Sequence, residues 1–305
     1  MKLTDYFGKH ELVLTSEVGP VKGCIRDIGG PQPNFLQEAE LIKDVVHAVN
    51  VTDNQSAVMR LGSLAASVRL KQMGIEPIYQ LTCRDRNRIA LQSDLLSACS
   101  LGIDNVLCLS GDYTSLGDHK SAKSVFDIDS VQLLNIAREL NQGRDMVGNA
   151  LAQPTGLALG AVVNPNFAPL DLQLLKMEKK IVAGAEFFQT QAVYDPAVFE
   201  TFARKIEGFG VPVQYGIVIV KSPQMGRFMN EHVSGIRVPQ WIIDEMAAVD
   251  KADRKRKAVE ITLKLCREIA PMAQGIHFMP LGWSDVVREV VTQLAAENPR
   301  MEQVA

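Results

Sequence analysis

Eight short apolar runs, at residues 12–18, 48–52, 77–82, 105–110, 157–163, 186–190, 212–220 and 275–279, recur along the chain, with stretches of helical periodicity between them. Most of these runs are near-continuously apolar, which is what a strand needs when both faces of its sheet are covered. Helices are expected at 35–47, 55–73, 86–101, 130–141, 170–183, 196–206, 223–230, 239–247, 254–269 and 284–296. The first of these carries Ala39, Ile42, Val45 and Val46 as a buried stripe. Segments 113–127 and 142–155 read as loops. Repeated alternation of strand and helix predicts an α/β protein with a parallel sheet. Closing that sheet into a single (β/α)8 TIM barrel accommodates eight strands in 305 residues. An open doubly wound sheet would show a glycine-rich turn after an early strand, and neither G-x-G-x-x-G nor G-x-x-x-x-G-K-[ST] occurs. No linker, low-complexity segment or longer repeat divides the chain, so 1–305 reads as one domain.

Composition narrows the partners. Hydrophobic residues make up 47% and charged residues 22%, with mean hydropathy +0.03, enough apolar material for a large core. The net charge of −3 leaves no electrostatic footprint for nucleic acid or an anionic membrane, and a small-molecule partner is expected. There is no signal peptide and no apolar run long enough for membrane insertion, so a cytoplasmic location is expected. Cys24, Cys83, Cys99, Cys108 and Cys266 form no C-x-x-C pair and read as reduced, mostly buried thiols. The histidines His10, His47, His119, His232 and His277 have no metal-binding spacing, so no metal site is expected. The basic run 251–257 reads as the solvated start of a helix.

In a barrel of this kind the site lies at the C-terminal ends of the strands. The polar residues expected there are Glu17, Thr52, Asp53, Asn54, Gln80, the 82–85 segment, Asp112, Asn164, Gln191 and Lys221. Glu17 closes an apolar strand just before the Gly19-Pro20 turn. A carboxyl partly withdrawn from water there suits a general acid near neutral pH, and pairing with a barrel-mouth cation suits the position equally. Asp112 follows Gly111, where backbone can approach a ligand closely, and capping its own loop is the alternative. Gln189 and Gln191 share one side of their strand. Their amides can read the edge of a flat heterocycle or bond to one another's neighbours inside the barrel. Lys180, beside Lys179, reads from its helical position alone as a solvated side chain.

The segments 80–94 (QLTCRDRNRIALQSD) and 102–112 (GIDNVLCLSGD) resemble methylenetetrahydrofolate reductases. So do 16–20 (SEVGP), 50–52 (NVT), 160–165 (GAVVNP), 183–191 (AGAEFFQTQ) and 235–239 (GIRVP), in family order across essentially the whole chain. The resemblance implies a flavin-bearing barrel that reduces 5,10-methylenetetrahydrofolate to 5-methyltetrahydrofolate. It makes Glu17 the catalytic general acid that opens the imidazolidine ring, with reduced flavin N5 as hydride donor. Asp112 is implied as a second catalytic residue between flavin and pterin, and Gln191 as a folate contact. Thr52, Gln80, Ser110, Asp112, Asn164 and Lys180 fall with the flavin-binding positions.

Bacterial members of the family carry histidine where Gln80 stands and arginine where Ser110 stands. Loss of the arginine fork near the cofactor phosphates makes FMN an alternative to FAD. No aromatic stands at 222–224, where those enzymes sandwich ligand. These features resemble the branch that holds acetogen-type reductases and the reductases fused to homocysteine methyltransferases. The implied electron donor is therefore NAD(P)H or an iron–sulfur partner subunit, in a homo- or hetero-oligomer. Two other readings stand beside it: a pterin-binding methyltransferase on the same barrel, and a folate-binding subunit of a larger electron-transfer complex.

Overall fold

The computed structural model describes residues 1–26 and 32–297. Its centre is a closed barrel of eight parallel strands in chain order: β1 (Val13–Val18), β2 (Ala48–Val51), β3 (Pro77–Thr82), β4 (Asn105–Leu109), β5 (Ala158–Val163), β6 (Phe187–Ala192), β7 (Val213–Val218) and β8 (Gly275–Met279). Closure is made by β1 against β8, with Val13 opposite Gly275 and Ser16 opposite Phe278. Around the barrel lie α2 (Asn34–Ile42), α3 (Ser63–Gln72), α4 (Arg88–Ser100), α5 (Ser130–Asn141), α6 (Leu170–Ala183), α7 (Pro196–Ile206), α8 (Pro223–His232), α9 (Gln240–Ala247), α10 (Arg254–Ile269) and α11 (Ser284–Glu297), preceded by a short α1 (Leu3–Phe7). The barrel expected from the apolar runs is the one observed.

Local chemistry sets the helix starts. Asn87 accepts from the Ile89 and Ala90 amides to begin α4, Asp129 forms a capping box at α5, and Asp195 with Pro196 opens α7. The amphipathic α5 buries Leu133, Leu134, Ile136, Ala137 and Leu140 against the barrel wall.

Several boundaries differ from expectation. No helix runs through 55–62: Gln55–Ala57 is a 3-10 turn in which Ser56 and Ala57 have positive φ, and α3 begins only at Ser63. The helix expected over 35–47 stops at Ile42 because the His47 amide donates to Leu14 O, so pairing with β1 takes over from helix propagation. The strand expected at 186–190 runs on to Ala192 and carries a bulge between Gln189 and Ala192. The helix α1 was not visible as a periodic pattern, being too short to show one.

Side chains inside the barrel form layers. At the N-terminal end Val13, Ala48, Ile78, Leu107 and Phe187 pack together with Leu3 of α1, whose amide donates to Asn105 Oδ1 at 2.6 Å. That short helix closes the barrel floor. Gly160 leaves room for the Phe187 ring, since a Cβ there would stand 2.2 Å from it. Gly216 of β7 lies against the bulge of β6, where a Cβ would stand 2.2 Å from the Thr190 carbonyl oxygen. Its amide donates to Thr190 Oγ1 at 2.9 Å. Gly216→Ala is expected to lower stability by about 1–3 kcal/mol by forcing the two strands apart. A fall in the denaturant midpoint at unchanged slope is the check.

Candidate active site

Above the apolar floor the barrel interior turns polar. Thr15, Asn50, Gln189, Gln214 and His277, from five strands, are all buried. Asn50 Nδ2 donates to Gln189 Oε1 at 2.7 Å, and Gln189 Nε2 donates to Gln214 Oε1 at 3.0 Å. Gln214 Nε2 donates to Val13 O at 3.0 Å, and Thr15 Oγ1 lies 2.9 Å from His277 Nδ1. Glu17 sits two residues beyond Thr15 on the same side of β1, only 7% exposed, with Oε2 3.9 Å from His277 Nε2. The strand-one carboxyl therefore does have a barrel-mouth partner, a histidine from the neighbouring strand.

Thr52 and Gln80 stand on the adjoining strand ends, on the side of β2 and β3 that faces the interior, since their neighbours Val51 and Tyr79 belong to the outer core. Both are largely buried, and the Thr52 hydroxyl has no hydrogen-bond partner. A buried hydroxyl without a partner is costly unless a ligand completes it. Gln191 lies in the β6 bulge with its Oε1 accepting from the Ala192 amide at 3.0 Å, so its amide nitrogen remains for other partners. Bulges beside sites commonly re-aim a side chain.

The rim is held by buried charge. Arg84, 2% exposed, forks onto Asp85 at 2.8 and 2.6 Å and reaches Asn54 O and Asp112 O at 3.3 and 3.4 Å. One guanidinium thus ties together the loops after β2, β3 and β4. Asp53 accepts from Thr82 N and Oγ1 and pairs with Arg86 at 2.8 Å, which also holds Asp94. Gly111, at φ +89°, packs closely against Thr82 and Arg84, in a backbone conformation that favours glycine. The long loop after β4 is pinned through Asp118, which bonds Lys22 at 2.6 Å and the Met59 amide at 3.1 Å.

Not every expected residue joins Glu17. Asp112 is exposed at the rim, with its backbone carbonyl on Arg84. Ser110 accepts from the Ser130 amide at 3.2 Å and so helps cap α5. It borders a cavity of about 470 Å³ lined also by Gly111, Tyr113, Phe126, Asp129 and Gln132. Asn164 is used between loops, donating to Gly235 O and accepting from the Asn166 amide. Lys180 is no solvated side chain: its ammonium is tucked behind β5 and donates to Val162 O at 2.7 Å. Burial, with Lys176 adding to it, lowers its pKa to about 8. Lys221 bonds Leu281 O and lies 5.4 Å from the Trp283 ring centre.

The methylenetetrahydrofolate reductase family model matches residues 10–295. The chain belongs to this family. A Caenorhabditis elegans protein named probable methylenetetrahydrofolate reductase (NADPH) is 24% identical over 279 residues, covering 86% of this chain and 40% of that protein. Methylenetetrahydrofolate reductase 1 of Schizosaccharomyces pombe is 25% identical over 72% of this chain and 36% of its own length. The 5,10-methylenetetrahydrofolate reductase of Pectobacterium carotovorum subsp. carotovorum is 24% identical over 71% of this chain and 68% of that one. The chain thus spans only 36 to 40% of the length of the worm and yeast relatives. In fold it is similar to an uncharacterised protein from Clostridium thermocellum described as binding two copies of 5-methyl-5,6,7,8-tetrahydrofolic acid. The two superpose with TM-score 0.64 at 14% identity, covering 97% of this chain and 100% of that one.

As a member of the reductase family, the chain carries one feature the motif reading passed over. His277 has no metal-binding spacing, yet it stands in β8 two residues before Met279, and the period of two puts both on one side of the strand. Gln214 was hidden in the same way, as a single polar residue inside an apolar run.

Lys180 yields a stability prediction. Its folded pKa, about 8, lies below the ordinary 10.5, so the unfolded chain binds more protons between those values and stability rises with pH across that window. Below pH 8 the charged amine costs up to roughly 3 kcal/mol. Lys180→Met is therefore expected to stabilise the ligand-free protein at pH 7 and to flatten the rise between pH 8 and 10, as read by denaturant unfolding at each pH.

Proposed function

We propose that this chain, as a single barrel domain over 1–305, reduces 5,10-methylenetetrahydrofolate to 5-methyltetrahydrofolate with a bound flavin. The observation that carries the reading is Glu17, a carboxyl buried at the barrel mouth beside His277, in a chain of this family. Two features fit a flavin. The unpartnered Thr52 hydroxyl offers a donor or acceptor to a polar ring edge, and the buried Lys180 ammonium, whose hydrogen bond is to a neutral carbonyl, suits a phosphate. FAD and FMN both meet these two requirements. Gln80, Ser110 and Asn164 are assigned to the same cofactor, and Gln191 and Asp112 to the folate.

Glu17 donates its proton to the imidazolidine ring nitrogen, which opens the ring and leaves an electrophilic iminium carbon. When bound, the reduced flavin supplies the hydride that this carbon accepts. The barrel walls keep Glu17 largely out of bulk water, which favours delivery of its proton to the substrate. His277 faces the carboxylate left behind. Electrons arrive from NAD(P)H or from an iron–sulfur partner subunit.

The test is anaerobic: the flavoprotein is reduced with dithionite or NAD(P)H and then mixed with methylenetetrahydrofolate. Folate-dependent reoxidation is expected, and protein that takes up no flavin contradicts the reading. Glu17→Gln is expected to slow reoxidation by about 10²–10⁴-fold while leaving flavin reduction intact, because only the folate step needs the proton. Equal loss in both half-reactions would remove Glu17 from that role.

A further inference from the structure

The hydrogens of the buried polar layer can be placed one by one. Val13 O only accepts, so the atom of Gln214 facing it is the amide nitrogen, and Gln214 Oε1 points inward. The atom of Gln189 nearest that oxygen must then be its own nitrogen, and the oxygen of Gln189 accepts from Asn50. One backbone carbonyl orients all three amides. The two hydrogens of Gln189 go to its shortest acceptors, Gln214 Oε1 at 3.0 Å and Asn50 Oδ1 at 3.2 Å.

One hydrogen keeps a choice. Thr15 Oγ1 lies 3.2 Å from Gln214 Oε1 and 2.9 Å from His277 Nδ1. If the hydroxyl donates to Nδ1, that nitrogen is bare and His277 presents Nε2–H to Glu17, which favours the carboxylate. If it donates to Gln214, it accepts from Nδ1–H, and the Nε2 lone pair faces Glu17 at 3.9 Å, which favours the protonated carboxyl. The two arrangements differ by one proton on the Glu17–His277 pair.

We propose that the Thr15 hydroxyl is a two-position rotor, with Gln214 as its second stop, that couples protonation of Nδ1 in His277 to protonation of Glu17. Thr15 and Gln214 are thus positioning residues for the acid. The other strands meeting the pair bring Asn50, Gln189 and Gln214, which do not titrate. The charged groups at nearby strand ends are turned elsewhere, Asp112 being exposed and Lys221 bonded to Leu281 O. The catalytic meaning rests on the reading of Glu17 as the acid in folate reduction, whereas the coupling itself does not.

The experiment is a pH titration of the intact chain carrying 15N-labelled histidine and 13C-labelled glutamate, reading the Nδ1 shift of His277 and the carboxyl shift of Glu17. In the wild type Nδ1 should gain its proton in step with Glu17 as pH falls. In Thr15→Val, Nδ1 faces only the Gln189 amide, a donor at 3.4 Å, and should stay proton-free across the range. Thr15→Ser should restore the coupling, and Glu17→Gln should abolish the transition. In turnover, Thr15→Val should move the decline of the folate half-reaction with rising pH toward acid. An Nδ1 that does not move while Glu17 titrates in the wild type overturns the proposal, as does one that behaves alike in wild type and Thr15→Val. The wild-type and Glu17→Gln titrations decide the matter even if Thr15→Val does not fold. A wild-type protein that folate cannot reoxidise would sink the reductase reading and leave these shifts untouched.

Discussion

The polar layer inside the barrel is oriented by one backbone carbonyl near the start of β1. Gln214 reaches across from β7 to donate to Val13 O, and from that bond the orientation of Gln189 and Asn50 follows. In an eight-stranded barrel of this kind the interior is filled by layers of side chains. Polar groups placed there must therefore satisfy one another, because an unpaired one costs about 1–3 kcal/mol. The layer does so, and it presents a fixed histidine to Glu17.

The rim follows a different logic. Closing the barrel only delivers eight strand ends to one face; it does not hold the loops that leave them. Arg84 and the Asp53–Arg86–Asp94 cluster do that, with charge-assisted bonds in a largely buried setting. The positive φ values of Asn54, Ser56 and Ala57 are sustained because the surrounding bonds over-determine that turn. Inside that rim the Thr52 hydroxyl is buried without a hydrogen-bond partner, and behind β5 the Lys180 ammonium is buried against a neutral carbonyl, both at a cost to the stability of the chain.

The barrel mouth of this reductase-family chain holds a buried carboxyl, Glu17. The departures at Gln80 and Ser110 also acquire a structural account. Gln80 continues the uncharged lining beside Thr52, while Ser110 has taken up the capping of α5. A short hydroxyl side chain can accept an amide hydrogen at a helix start, as a long cationic one cannot.

Much of this was legible in the residues alone. Near-continuous apolar runs between amphipathic stretches determine a covered parallel sheet, because only helices on the outside can hide both ends of that pattern. Position at a strand end marked Glu17, Thr52, Gln80 and Gln191 as candidates. The tertiary structure alone decided that His277 meets Glu17, that Thr15 stands between His277 and Gln214, and that Lys180 turns inward. Those contacts join residues as much as 262 positions apart, and their geometry depends on the register and tilt with which β8 closes on β1. Periodicity along a chain tells which side of a strand a residue faces. Which residue it meets there is set by closure of the barrel.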